Sequence, residues 1–173
     1  MQRVKLDRID MRILRELQRN GRITNLDLAK RVGISAPPCL RRMHALEETG
    51  YIRSYHADVA SEKLGYGLGV VAFVALTSHA EDDLLDLAER ANKWPMVREC
   101  CMMTGDADFI IRIVAENWDA FQKFLTHELA AAPNVAHVKS APAMERTKFE
   151  PGIPFDEKCI GNGSAVVSEA VGE

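Results

Sequence analysis

The spacing of apolar residues changes once along the chain, and this change constrains the fold more than any other feature. Between residues 6 and 50 apolar side chains recur every three or four positions, the period of amphipathic helices. From residue 68 onward, short apolar runs of strand length alternate with two further helical segments. The sequence therefore predicts an α+β chain with a helical domain, a hinge, a mixed domain and a flexible extension, over residues 1–60, 61–67, 68–150 and 151–173.

The two domains carry opposite charge. Residues 1–60 hold 12 Lys and Arg against 7 Asp and Glu, a net charge of +5, whereas residues 61–173 hold 10 against 18, a net charge of −8, which together give −3. The basic domain is suited to a polyanion such as DNA. The longest apolar run, residues 68–76, is far shorter than the roughly 18 residues of a membrane-spanning helix, and the start lacks a secretory h-region. We therefore expect a cytoplasmic protein without membrane contact.

Helix signals divide the first domain into three short helices. Thr24 is placed to cap the second helix, Gly33 makes the turn that follows it, and Ser35 opens the third. The three helices are expected over residues 6–17, 24–31 and 35–49. Residues 51–56 are rich in aromatic and β-branched side chains and predict a short strand, or wing. This order predicts a winged helix-turn-helix whose third helix enters the major groove of DNA.

The third helix has an apolar and a basic face. At 100° per residue, Leu40 and Met43 fall on the inward side with Cys39, whereas Arg41 lies outward, flanked by Arg42 and His44. A buried Arg42 is not expected, so we predict that Leu40 faces the core and Arg42 faces DNA. The predicted DNA contacts are Arg22, Lys30, Ser35, Pro38, Arg41, Arg42, His44 and Arg53. Arginine reads guanine edges or neutralises phosphate, and a solvated helix face is the alternative to either.

In the second domain, the pattern of apolar residues predicts the order strand, helix, strand, strand, helix, strand. This is the ferredoxin-like βαββαβ arrangement, with both helices on one face of an antiparallel sheet. Pro142 falls in the last strand, which lies at a sheet edge in this topology and tolerates a residue without an N–H donor. The other sheet face lacks a helix layer, so we expect a homodimer at least.

The hairpin at residues 105–108 combines two carboxylates with a glycine. Asp106 and Asp108 suit the ammonium group of a free amino acid, and the backbone N–H of Gly105 suits its carboxylate. Ordinary turn chemistry is the alternative, because Gly and Asp are common in turns. The four cysteines and five histidines show no metal-ligand spacing, so we predict neither a metal nor a cofactor.

Several segments carry a resemblance to a known family. The chain resembles the leucine-responsive regulatory protein and AsnC (Lrp/AsnC) family of transcription regulators over residues 6–150. The segments that carry it are Leu6–Asp10, Ile13–Leu14, Asp27–Ser35, Pro38–Leu40 with Arg42, Leu46–Glu47, Gly50–Ile52, Glu99–Cys100, Gly105–Asp108 and Met144–Glu145. The resemblance implies a nucleoid-associated regulator without enzymatic activity, which binds double-stranded promoter DNA as a dimer, tetramer or octamer.

The resemblance also implies a small amino-acid effector held near the hairpin. The residues that it assigns to the effector site are Met102, Thr104, Gly105, Asp106, Asp108 and Met144. Ala107 stands where relatives often carry an aromatic residue, which changes the shape of the pocket. Two alternatives stay open, an effector-independent architectural DNA-binding protein and a small enzyme that uses Asp106 and Asp108 as acid and base.

Overall fold

A computed structural model describes residues 6–155 and divides them into two compact units. The first unit ends at Asp58 and also includes the described residues from Phe149 onward. The second unit spans Val59–Lys148. Each unit has its own buried apolar core.

Three helices form the first unit. They are α1 (Arg8–Arg19), α2 (Asn25–Val32) and α3 (Ala36–Glu48). Ile13 of α1, Leu28 of α2 and Cys39 of α3 are fully buried and form the centre of the core. Thr24 caps α2 as predicted, with its hydroxyl oxygen accepting the Asp27 N–H at 3.2 Å. Gly33 ends α2 at a φ of 82°, a left-handed conformation that favours glycine.

Two predictions for this unit are wrong. Residues 51–60 form no strand in the described structure, and Ile52 instead packs against the helical core. The Tyr55 hydroxyl donates to Glu47 Oε1 at 2.8 Å, which holds the segment close to α3. Leu40 is 38% exposed rather than buried, so α3 is rotated from the expected orientation.

The second unit has the predicted ferredoxin-like topology. Its elements are β1 (Leu68–Leu76), α4 (Glu81–Lys93), β2 (Val97–Met102), β3 (Phe109–Ala115), α5 (Trp118–Phe124) with a π-helical continuation (Leu125–Leu129), and β4 (Val135–Pro142). The strands pair antiparallel in the order β2-β3-β1-β4. Pro142 therefore lies on an edge strand, as predicted. Asn117 caps α5, since its Oδ1 accepts the Ala120 N–H at 2.9 Å.

The two faces of the sheet differ sharply in burial. Inward side chains such as Val74, Phe109 and Ile111 are fully buried and share one core with Leu87 of α4 and Phe121 of α5. The opposite face includes Phe73, which is 37% exposed, and its neighbours on adjacent strands. Trp118, the first residue of α5, is 55% exposed.

The chain after β4 returns to the first unit. The side-chain amide of Gln18 on α1 donates to the Ile153 carbonyl at 2.7 Å and accepts the Ile153 N–H at 3.0 Å. Gly152 has a φ of 89°, and a Cβ there would overlap the Gln18 side chain. Ile153, which was predicted to belong to the flexible extension, thus contacts α1. Residues 156–173, which include most of the predicted flexible extension and Cys159, lie outside the described residues.

Candidate DNA interface and effector site

The outer face of α3 presents a basic and apolar surface. Arg41 and His44 are both exposed there, one helical turn apart. They line a broad, open depression of about 470 Å³ together with Pro37, Leu40, Ala45 and Glu48. Arg41 forms no ion pair with any residue between 6 and 155. Its guanidinium is therefore available to a phosphate or a base edge.

The other predicted DNA contacts are spread over the first unit. Arg22 and Arg53 are exposed in loops, and Lys30 Nζ lies 3.6 Å from Asp27 Oδ1 on the surface of α2. Ser35 begins α3 without a side-chain capping bond, so its hydroxyl is not used by the helix. Pro38 is half-buried in the first turn. Of the predicted DNA contacts, Arg41 and His44 are the two that line the depression on α3.

Arg42 does not have its predicted outward orientation. Its Nη1 atom donates to Asp7 Oδ2 at 2.6 Å and to Asp10 Oδ1 at 2.8 Å, at the start of α1. Burial opposes the ionisation of Asp7, but its bond from the Asp10 N–H and the charge of Arg42 outweigh this and lower the pKa of Asp7. The bonds to Asp10 and Asp7 raise the pKa of Arg42. The rotation of α3 that exposes Leu40 thus places Arg42 against two carboxylates.

Glu16 is a buried charged residue that helical spacing did not identify. It is 7% exposed and accepts a hydrogen bond from Arg31 of α2 at 3.0 Å. Arg15 and Arg19 lie 3.4 and 3.9 Å from its other oxygen. The hydrogen bond from Arg31 is the main reason that the pKa of Glu16 is lowered. These contacts pair three arginines of the unit with one buried carboxylate.

Asp108 anchors the hairpin to the end of β1. Its Oδ2 accepts the Leu76 N–H at 2.7 Å, and its Oδ1 lies 3.1 Å from His79 Nε2. Its backbone N–H also donates to the Val74 carbonyl at 2.9 Å. Gly105 has a φ of 131°, a conformation that L side chains rarely adopt. Both oxygens of Asp108 are therefore engaged within the unit, and Asp106 is the exposed carboxylate of the hairpin.

A small pocket lies beside this hairpin. It has a volume of about 160 Å³ and is lined by Asp106, Ala107, Phe73, Ala75, His137 and Lys139. Strand pairing assembles it, because Phe73 lies opposite Lys139 and Ala75 lies opposite His137. The β1 and β4 members were missed in the sequence, since only the strand register shows that they meet. The pocket thus combines an exposed carboxylate with an ammonium group.

The remaining predicted effector residues do not line this pocket. Thr104 is exposed in the hairpin, Met102 at the end of β2 is 53% exposed, and Met144 beyond β4 is fully exposed. Residues 6–155 contain no group of three or more His, Cys, Asp or Glu that could hold a metal ion. Within the same range, none of the helices has the length and apolar character needed to cross a membrane.

Comparison with known proteins identifies both units. Residues 6–53 match the family described as winged helix-turn-helix DNA-binding, and residues 69–153 match the Lrp/AsnC ligand binding domain. The leucine-responsive regulatory protein of Rhizobium meliloti (strain 1021) is 49% identical over 84% of this chain and 94% of its own length. This chain belongs to the Lrp/AsnC family. It is therefore a transcriptional regulator with a DNA-binding and a ligand-binding domain.

Other Lrp/AsnC proteins support the same assignment. The Bkd operon transcriptional regulator of Pseudomonas aeruginosa is 41% identical over 87% of this chain and 99% of its own. A transcriptional regulator from Neisseria Meningitidis, solved in complex with L-Met, superposes with a TM-score of 0.81 at 34% identity, covering 86% of this chain and 96% of the other. The resemblance inferred from the sequence is thus confirmed, as is the predicted fold class.

Proposed function

We propose that this Lrp/AsnC regulator contacts promoter DNA through the outer face of α3 and through phosphate contacts at Arg22, Lys30 and Arg53. The observation that carries the proposal is the exposed pair Arg41 and His44 on a helix face that no residue of the unit within the described range 6–155 covers. Such a face fits the major groove, where arginine donates to guanine or to phosphate. A protein that acts on promoters acts at the nucleoid, in the cytoplasm.

Salt titration of DNA binding tests this proposal. Each lost phosphate contact lowers the slope of log affinity against log salt by about 0.9, so Arg53→Ala should reduce the slope and leave sequence preference unchanged. Loss of a base contact at Arg41 should instead reduce the preference for a selected duplex over a random one by about 1–3 kcal/mol. Equal affinity of the wild-type protein for both duplexes would contradict the proposal and favour an architectural DNA-binding protein.

We also propose that a small free amino acid is the effector and that it binds in the pocket beside the hairpin. Asp106 would accept the ammonium group, while Lys139 would donate to the carboxylate. The relative from Neisseria Meningitidis, solved with L-Met, supports this class of ligand. Asp108 holds the hairpin in place, since both of its oxygens are engaged at Leu76 and His79.

Thermal unfolding with each common amino acid in excess tests the effector proposal. A ligand that binds only the native state stabilises it by about 2.7 kcal/mol at a hundredfold excess over Kd. Asp106→Asn should abolish the shift produced by the active amino acid. Asp119→Asn removes a carboxylate that is likewise exposed, on α5, and should leave the shift intact. A normal shift in Asp106→Asn would place the ligand elsewhere.

Self-association completes the proposal. The open sheet face carries half-buried Val71 and Ile110 beside exposed Phe73, an apolar surface that a second copy would cover, with tetramers or octamers built from such dimers. Phe73 also lines the pocket, so effector binding and assembly share a side chain and are linked. Sedimentation should show that Val71→Glu dissociates the oligomer, whereas Leu85→Glu on exposed α4 does not. An unchanged oligomer in Val71→Glu would refute this interface.

A further inference from the structure

The amino-terminal turn of α1 offers two carboxylate oxygens in a fixed arrangement. Asp7 Oδ1 accepts the N–H groups of Ile9 and Asp10 at 2.8 and 2.9 Å, and Asp10 Oδ2 accepts the Asp7 N–H at 3.0 Å. This reciprocal capping box uses one oxygen of each carboxylate. The two remaining oxygens both accept from Arg42 Nη1. The helix cap therefore orders both acceptors without help from Arg42.

We infer that Arg42 is a positioning residue, which sets the orientation of α3 on α1 and thereby the presentation of Arg41 and His44 to DNA. The inference rests on the proposed DNA contact by the outer face of α3. The remaining contact between α1 and α3 is largely apolar, through residues such as Ile13, Cys39 and Leu46. Apolar contacts are non-directional and leave the rotation of a helix loosely determined, whereas charge-assisted hydrogen bonds to fixed acceptors are directional.

The local charge argues against direct DNA contact by Arg42. Two carboxylates surround one guanidinium, so the cluster has a net charge of −1. A phosphate brought to Arg42 would meet both carboxylates, and like charges at this range repel. Asp10 is only 13% exposed and Arg42 32% exposed, so the bonds to Arg42 are partly shielded from salt. Arg41, the residue before Arg42 on the helix, forms no ion pair with a carboxylate among residues 6–155.

The experiment compares two neighbouring arginines in the full-length protein. Affinities for a duplex selected by the wild-type protein from a random library, and for an unselected duplex, are measured over a salt series. Arg42→Ala should weaken binding to the selected duplex about tenfold with an unchanged salt slope, and Arg42→Lys should recover part of the loss. The matched control Arg41→Ala should weaken binding to the selected duplex or lower the slope of log affinity against log salt by about 0.9. If Arg41→Ala alters neither, the proposed DNA face itself is wrong, independently of Arg42.

Asp10→Asn should change the DNA affinity in opposite directions for the two possible roles of Arg42. Asparagine keeps an acceptor for the cap but loses the charge that orients Arg42. If Arg42 positions α3, Asp10→Asn should weaken binding to the selected duplex, although the protein has lost a negative charge. If Arg42 contacts phosphate, the same change should tighten binding to both duplexes. Tighter DNA binding by Asp10→Asn would overturn the inference. So would a lower salt slope in Arg42→Ala, or an Arg42→Ala affinity for the selected duplex equal to that of the wild-type protein.

Discussion

Removal of the Asp108 carboxylate should destabilise the ligand-binding unit by an amount that follows from its bonds. In Asp108→Ala the Leu76 N–H loses its acceptor at 2.7 Å, in a hydrogen bond that is partly buried. An unsatisfied buried donor costs about 1–3 kcal/mol, and partial burial favours about 1–2 kcal/mol here. In a unit of the size of Val59–Lys148, each kcal/mol lowers the unfolding midpoint by roughly 4–8 °C. The expected decrease is therefore about 4–16 °C.

Tryptophan fluorescence reports this transition selectively. The chain has two tryptophans, Trp94 and Trp118, and both lie in the ligand-binding unit. The Trp94 ring packs edge-on against Phe124 at 5.3 Å, so unfolding changes its surroundings. Asp108→Asn keeps a neutral acceptor for the Leu76 N–H and should lose less than half as much stability. An Asp108→Ala midpoint equal to that of the wild type would refute the anchoring role.

Three further predictions concern the C-terminal return, acid stability and the core. Gly152→Ala should release the Ile153 bonds to Gln18, because the new methyl group overlaps Gln18 and φ is 89°; hydrogen exchange at the Ile153 N–H should accelerate. The pKa values of Asp7 and Glu16 are lowered in the folded protein, so both carboxylates stabilise it above their ordinary pKa values of about 4. This stability is lost as the pH falls through the lowered pKa values. The urea midpoint, followed by helical circular dichroism, should therefore decrease in acid. Phe109→Ala should cost the ligand-binding unit about 3–5 kcal/mol in denaturant unfolding, since that ring is 1% exposed.

The topology of the second unit could be predicted because its strand signals are local. The apolar runs that become β1 and β3 and the cap at Asn117 are visible in short windows of sequence. Their order admits few arrangements, and the edge position of Pro142 is consistent with the ferredoxin-like one. The rotation of α3 could not be predicted in this way. A periodic pattern treats Arg42 as a surface residue, because it contains no information about Asp7 and Asp10, more than 30 positions earlier.

The pocket was predicted only at the hairpin. Asp106 was identified because glycine and aspartate cluster in the sequence, whereas His137 and Lys139 belong to an edge strand with no local signal. Their place depends on the register of β4 against β1, which shifts between Ala75 and Leu76. Such a shift moves side chains between the faces of a sheet. Register is a property of the folded pair of strands, so neither strand reveals it alone.

The return of the chain to α1 also determines the order in which the molecule is completed during translation. Gln18 leaves the ribosome early, but its partner Ile153 follows only after the whole ligand-binding unit, Val59–Lys148, has been synthesised. At about 5–20 residues per second, those 90 residues take roughly 5–20 s. Throughout that interval the side chain of Gln18 lacks its partner Ile153. The bonds between Gln18 and Ile153 thus form only after the intervening ligand-binding unit has been synthesised.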